Sequence, residues 1–339
     1  MRISASIYSS KQKKIQDSIE ELDALNVDMI HIDFNDKKSD EKIIFSDIKK
    51  IRELSEIPID LHIISENPSN YFHYITKHKL EYVTFQYEII KEELIIPNGS
   101  DTKYGIAITS ETSISVFNKF ENKCHFILLM TTTPGESGGK FNKINFKKIR
   151  EFRKSYPHRN IHIDGGIDDE LGFIMRILGV HASVSGSYLM NNKNTAAALF
   201  KLKSSVVHSE YVLKDFKIDL SESPVLNIKD ASLKKVLETI ENYNLGFVMF
   251  INERGEFCGL ISNADIRKVL INNFENFNTL SINKVINNNP ITIYENNTIS
   301  DMLKIIQNNE FIISFMPIID NKKKLKGCIT FLDIIVSES

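Results

Sequence analysis

Eight short, β-rich apolar runs punctuate the first two hundred residues, and the chain between them is long enough to return to the start of a neighbouring strand. They are RISASI (2–7), MIHIDF (29–34), PIDLHII (58–64), YVTFQY (82–87), KYGIAI (103–108), HFILLMT (125–131), NIHIDG (160–165) and ASVSG (182–186). Strand runs that alternate with helical patterns mark βα units wrapping a parallel sheet. Eight of them close such a sheet into an α/β (β/α)8, or TIM, barrel. The spacing leaves room for one helix between each pair, for example KIQDSIEELDAL after the first run and KINFKKIREFRKSY after the sixth. The segment is shorter than the ~250 residues usual for the architecture.

The pattern changes after about residue 205, and a second architecture begins near SPVLNIKDASL. There Gly259-Leu260-Ile261-Ser262-Asn263-Ala264-Asp265 recurs 68 positions later as Gly327-Cys328-Ile329-Thr330-Phe331-Leu332-Asp333. Each copy follows a helix pattern, an apolar strand (FVMFI, MPII) and a polar turn (NERGEF, DNKKKL), so this is an internal repeat of two βαββα-like halves. The expected organisation is a barrel over 1–205, a linker over 206–222 and a paired α+β module over 223–339, with halves 223–275 and 281–339.

Composition narrows the function. Forty-two basic and 44 acidic residues leave a net charge of −2 with no long block of one sign, which speaks against a nucleic-acid arm or a membrane-binding face and makes a small molecule the expected partner. Cys124, Cys258 and Cys328 are an odd number at wide spacing, so neither a disulfide framework nor a four-cysteine zinc site is expected. No run approaches about 18 apolar residues, and a cytoplasmic location is expected.

On a barrel of this kind chemistry sits at the carboxyl ends of the strands. His31 and Asp33, two apart on the second run, point to one side; His62 comes late on the third and Asp164 ends the seventh. Two imidazoles and two carboxylates converging on one point suit a divalent cation such as Zn²⁺, Fe²⁺ or Mn²⁺, with positions left for substrate oxygens. Without a cation, burying both carboxylates would cost several kcal/mol each. Gly138 and Gly139, Gly165 and Gly166, and Gly186 with Ser187 follow the last three strands, where barrel phosphate sites form and where glycine lets the backbone approach an anion. Tight βα turns are the competing reason for the same glycines.

SASIYSS, HIDFND, DLHII, MTTTPGESGGKF, IHIDGGI and VSGSYL follow in the order and approximate spacing of the ribulose-phosphate 3-epimerase family, which residues 3–190 resemble. The resemblance implies that His31, Asp33, His62 and Asp164 are metal ligands, that Asp33 and Asp164 are also the acid/base pair, and that Ser6 and Met130 belong to the substrate site. Inverting a carbinol carbon beside a ketone needs a proton removed from one face and returned to the other, which two flanking carboxylates can do through a cis-enediolate. The implied activity is epimerisation of ribulose 5-phosphate or a related ketose phosphate. Several positions depart from the family: Asn35 and Ile64 stand where it has methionines, Gln86 where a histidine is common, Thr109 near a usual asparagine, and PGESGGK replaces PGFGGQ. These changes reshape the lid and wall, so a ketose phosphate of another length is open. Two alternatives also stand: a decarboxylase or aldolase on the same barrel, which DKKSDE (36–41) imitates only loosely, and a non-catalytic sugar-phosphate sensor.

Residues 223–339 resemble a tandem pair of cystathionine beta-synthase (CBS) domains, through the repeated G-h-h-[ST]-x-x-D, where h is apolar. That resemblance implies an adenine nucleotide or nucleotide sugar whose ribose is held by Ser262 with Asp265, or Thr330 with Asp333. The competing reading is that Ser or Thr caps the following helix with Asp in its first turn. Both resemblances imply a homo-oligomer.

Overall fold

The computed structural model describes residues 1–10, 13–97, 100–136, 138–203, 211–274, 280–309 and 313–331. They form two compact units, one up to residue 203 and one from residue 211.

The first unit is a closed barrel of eight parallel strands in sequence order, with β1 paired to β8. The strands are β1 (Arg2–Ser6), β2 (Met29–Asn35), β3 (Ile59–Ile64), β4 (Tyr82–Gln86), β5 (Lys103–Ile108), β6 (Phe126–Met130), β7 (Asn160–Asp164) and β8 (Ala182–Ser185). Around them run α1 (Ile15–Ala24), α2 (Glu41–Leu54), α3 (Phe72–Lys77), α4 (Ile144–Ser155), α5 (Asp169–Ile177), α6 (Ser187–Met190) and α7 (Thr195–Lys203). The helices are set by local sequence. Asp40 caps α2 by accepting from Lys42 N, and its apolar stripe Ile44, Phe45, Ile48 and Ile51 is buried, each side chain worth roughly 1.5–3 kcal/mol of burial. Asp168 caps α5 in the same way, accepting from Leu171 N.

One expectation fails here. Among the described residues no helix joins β4 to β5, and the β5–β6 connection carries only a 3₁₀ helix, Ile114–Lys119. The β4–β5 segment KEELIIP has strand-like alternation: Leu94 and Ile96 are buried and Ile95 is exposed, and Pro97 follows at once. That period buries apolar side chains without a helix, and the segment saves the length that makes this barrel short.

Inside the barrel, Met29, Tyr82, Ala107, Phe126, Leu128, Met130 and Ala182 pack as one cluster. Strand register then decides which polar residues meet. Ser6 pairs with His31, His31 with Asp60, and Asp33 with His62.

The second unit holds β9 (Ile218–Asp219), β10 (Val225–Asn227), α8 (Leu233–Tyr243), β11 (Phe247–Ile251), β12 (Phe257–Ser262), α9 (Asn263–Asn272), β13 (Ile293–Tyr294), α10 (Ile299–Gln307), β14 (Phe315–Ile319) and β15 (Leu325–Thr330). Its sheets are ordered β10-β11-β12 and β13-β14-β15-β9. The repeat is structural as well as sequential, because each half has a parallel pair followed by an antiparallel hairpin with a register shift at the same place, Phe250/Ile251 and Ile318/Ile319. The halves also exchange their leading segments. β9, ahead of the first half, pairs with β15 of the second, whereas Asn287, ahead of the second, bridges Leu260 of the first. Glycine is demanded at the crossing points: Gly259 has φ +147° and Gly327 +138°, and a Cβ would stand 2.5 Å from Asn287 O and 2.0 Å from Ile218 O respectively. Among the described residues no helix is long and apolar enough to cross a membrane.

Candidate active site

β2, β3 and β7 deliver His31, Asp33, His62 and Asp164 to one point, where one ligand atom from each lies within 4.8 Å of every other. The imidazoles are fully buried, while Asp33 and Asp164 keep an exposed edge on the cavity. His31 Nε2 stands 3.4 Å from Asp33 Oδ1 and 3.8 Å from Asp164 Oδ2; His62 Nδ1 stands 3.0 Å from Asp33 Oδ1.

The outward nitrogens are held as well. His31 Nδ1 lies 2.9 Å from Asp60 Oδ2, and the same oxygen accepts from Ser4 Oγ at 2.9 Å. His62 Nε2 lies 2.9 Å from Gln86 Oε1. Each ring thereby turns its other nitrogen to the centre, as in metal sites where a partner fixes the tautomer of the ligand. The donor set and its supporting bonds fit a divalent cation with catalytic, partly open coordination, His31 Nε2 and His62 Nδ1 providing the nitrogens.

Electrostatics separate the two cavity-facing carboxylates. Burial resists ionisation of Asp33, but His31 and His62 outweigh it and hold its carboxyl well below the usual range. Asp164 is pushed up to about 6, by burial and by the Asp33 charge against the pull of His31. Burial disfavours a charged His31, yet Asp60 and Asp33 raise its pKa well above the ordinary value.

A cavity of about 490 Å³ opens over the cluster, lined by Asp33 and Asp164 together with Ser6, Gly138, Gly165, Gly166, Gly186 and Ser187. Ser6 Oγ also bonds Ser9 Oγ at 3.0 Å. Two expected substrate-site residues do not line this cavity. Met130 is buried in the barrel cluster, on the inward alternation that starts at Phe126, and Gly139 faces Thr132, whose Cγ2 would stand 2.5 Å from a Cβ there. Gly166 has a packing reason of its own: φ is +66°, and a Cβ would stand 2.7 Å from Phe141 N and 2.9 Å from Gly139 O, so the loops after β6 and β7 touch backbone to backbone. The altered β2 loop contributes Asn35, Lys38, Ser39 and Asp40, with Lys38 Nζ 3.9 Å from Glu136 of the β6 loop.

Sequence reasoning missed Asp60, although it lies two positions before His62 and alternation places both on the inward face. Nor did it find the duty of Gln86. In the second unit, Ser262 caps α9: its Oγ accepts from Asp265 N at 3.2 Å, while its own N–H and hydroxyl donate to Asp265 Oδ2 at 2.8 and 2.7 Å. This is a reciprocal capping box, the competing reading of the motif. Thr330 is buried at the end of β15, and Asp333 lies outside the described residues.

Known proteins match both units. The ribulose-phosphate 3 epimerase family model matches residues 2–190, and the CBS domain model matches residues 222–272 and 282–337. The chain is 25% identical over 225 residues to the ribulose-phosphate 3-epimerase of Methanocaldococcus jannaschii, covering 64% of this chain and 94% of that one. It is 26% identical over 218 residues to the cytoplasmic isoform from Oryza sativa subsp. japonica, covering 62% and 96%. Among solved structures it is similar to CBSX2 in complex with AMP, at 16% identity and a TM-score of 0.31 over 38% of this chain and 96% of that chain. A CBS domain pair in complex with 5-methylthioadenosine and S-adenosyl-L-methionine matches at 22% identity and a TM-score of 0.32, over 38% and 100%. The second unit is a CBS domain pair, and with the family model matched over residues 2–190 of its barrel, the chain belongs to the ribulose-phosphate 3-epimerase family, as an isomerase of that kind.

Proposed function

We propose that the barrel epimerises ribulose 5-phosphate or a closely related ketose phosphate through a cis-enediolate, with Asp33 and Asp164 as the acid/base pair. The observation that carries this reading is that both carboxylates, unlike the buried imidazoles beside them, reach the cavity wall with the glycines of the β7 and β8 loops. Asp33, held ionised, accepts the carbon-bound proton from one face; Asp164, which keeps a proton more readily, returns one to the other. One turnover moves the proton from Asp164 to Asp33, so the reverse reaction begins from the state that the forward reaction leaves. His31, Asp33, His62 and Asp164 would hold Zn²⁺, Fe²⁺ or Mn²⁺, and such a cation supplies positive charge that stabilises the enediolate oxygens. Ser6 and the Gly138, Gly165, Gly166, Gly186 and Ser187 backbone would orient the phosphate end, where close approach of N–H groups suits an anion.

The test is solvent-deuterium exchange into a panel of four- to seven-carbon ketose phosphates with metal-loaded and metal-stripped protein. Metal-dependent incorporation at the carbon beside the carbonyl is expected for one panel member at least. A metal-loaded protein that exchanges none of them would sink the epimerase reading and leave the sensor or a different reaction on the same barrel.

For the CBS pair we propose an adenine nucleotide held by Ser262 with Asp265, or by Thr330 with Asp333, of which the aspartate lies outside the described residues; either makes the module nucleotide-responsive rather than only dimerising. Asp265 makes its capping box with Oδ2, so Oδ1 can take a ribose hydroxyl while α9 stays capped. AMP is expected to raise the melting temperature of the full chain, and Asp265→Ala to remove that rise. No shift with AMP, ADP or ATP would leave the dimerising role, with an oligomer that nucleotide does not alter.

A further inference from the structure

Behind His62 runs a chain of hydrogen bonds that ends on residues outside the cavity lining. Gln86 is buried on β4 and joins two partners through its amide: Oε1 faces His62 Nε2 at 2.9 Å, and Nε2 donates to Glu88 Oε2. The other Glu88 oxygen, Oε1, takes three donors from the loop after β5: Thr109 N at 2.8 Å, Thr109 Oγ1 at 3.2 Å, and the Thr112 hydroxyl. That loop is itself pinned by buried Lys148 of α4, whose Nζ donates to the carbonyls of Thr109 at 2.7 Å, Ser110 at 3.2 Å and Thr112 at 2.6 Å.

A carboxylate only accepts, whereas an amide has one accepting and one donating end. Glu88 therefore dictates which way the Gln86 amide faces. Its oxygen claims the Gln86 NH2, so Gln86 Oε1 is left for His62, and His62 Nε2 must carry the hydrogen. The lone pair then falls on Nδ1, the nitrogen that faces Asp33 and the centre of the cluster. Turning the amide over would put NH2 against Nε2, call for the opposite tautomer, and aim an N–H at the cation. We infer that Glu88 and Gln86 are positioning residues that fix the metal-binding tautomer of His62, a role that rests on the metal reading of the cluster above.

Glu88→Gln tests this with almost no change of shape. The three donors at Oε1 keep an oxygen in that place, which turns the new NH2 toward Gln86 and forces its amide over. In the full-length chain, Co²⁺ affinity by chelator competition is expected to fall about tenfold to a hundredfold, the usual consequence of losing a ligand's outer partner, with a changed visible absorption band. Exchanging the two residues, Gln86→Glu with Glu88→Gln, puts an obligate acceptor beside His62 again and is expected to bring affinity and spectrum back to those of wild type. A Glu88→Gln protein that binds Co²⁺ as wild type does, or a loss that the exchange fails to restore, overturns the relay while leaving the metal site intact. A wild-type chain that takes up no Co²⁺ overturns both.

Discussion

Asp164→Asn is expected to lower the kcat of epimerisation at least about a thousandfold, within the 10²–10⁴ that a positioned acid or base contributes, while leaving a trace of one-sided proton exchange. On the proposed mechanism the amide can neither hold nor deliver the proton that one face of the enediolate requires. Asp33 stays ionised by His31 and His62, so it can still take a proton from the epimer whose hydrogen faces it and return one to the same face. Deuterium from solvent should therefore enter one epimer slowly, with no appearance of the other, and Asp33→Asn should reverse the preference. The measurement is deuterium incorporation into each epimer separately, by mass spectrometry or NMR. Equal residual exchange into both epimers would mean that Asp164 acts as a ligand alone and that some other group works its face.

The barrel was legible because each strand is a short β-rich apolar run set apart from the next by a longer polar segment, and eight such runs leave few topologies. The β4–β5 connection was misjudged on length. Sixteen residues from Tyr87 to Thr102 can hold a helix, but the alternation of Leu94, Ile95 and Ile96 with Pro97 behind it argues for extended chain. The four cluster residues were legible from spacing and position, since Asp33, His62 and Asp164 lie in the carboxyl half of their strands and His31 shares a face with Asp33 two residues on. Asp60 was legible in principle by the same two-residue rule that joined His31 to Asp33, and it stands beside His31 in register; attention to the ends of strands passed it over because it is the second residue of β3. Gln86 looked like a mere departure from a family pattern. Its duty depends on facing β3 on one side and Glu88 on the other, which no single strand reveals. The partners of Glu88 come from a loop and a helix well removed in sequence, and such contacts carry no local signal. In the second unit the repeated glycines announced two equivalent halves, whereas the exchange of leading segments, β9 to β15 and Asn287 to Leu260, depends on long-range pairing.

Asp60→Asn is expected to cost the metal-free protein about 3 kcal/mol and the loaded protein about tenfold to a hundredfold in metal affinity, through one cause. Asp60 and His31 form a pair shut away from water, 2% and 0% exposed, with Ser4 as the only other side chain bonded to the carboxylate among the described residues. Removing one member of a buried ion pair leaves the other uncompensated, which costs about 3–5 kcal/mol; the lower end applies because Asn can still accept one hydrogen bond from His31 Nδ1 and Asp33 stays close on the other side. The pH dependence follows from the directions of the two shifts. Burial acts against the charge on each, but the partner prevails, lowering Asp60 and raising His31. A lowered carboxylate contributes stability that is present above its unfolded value of about 3.9 and lost as pH falls through the folded one; a raised imidazole contributes stability that is complete below about 6.5 and lost as pH rises through its folded value. Both contributions are complete only between those unfolded values, so the gap between wild type and Asp60→Asn in chemical denaturation of metal-free protein should be widest at about pH 4–6.5. The metal effect has the same root, because an Asn side chain can also turn its NH2 toward Nδ1 and move the hydrogen of His31 to Nε2, the nitrogen that a cation needs. A stability gap that does not vary with pH, together with unaltered metal affinity, would mean that the pair is a neutral hydrogen bond and that His31 is oriented by its packing.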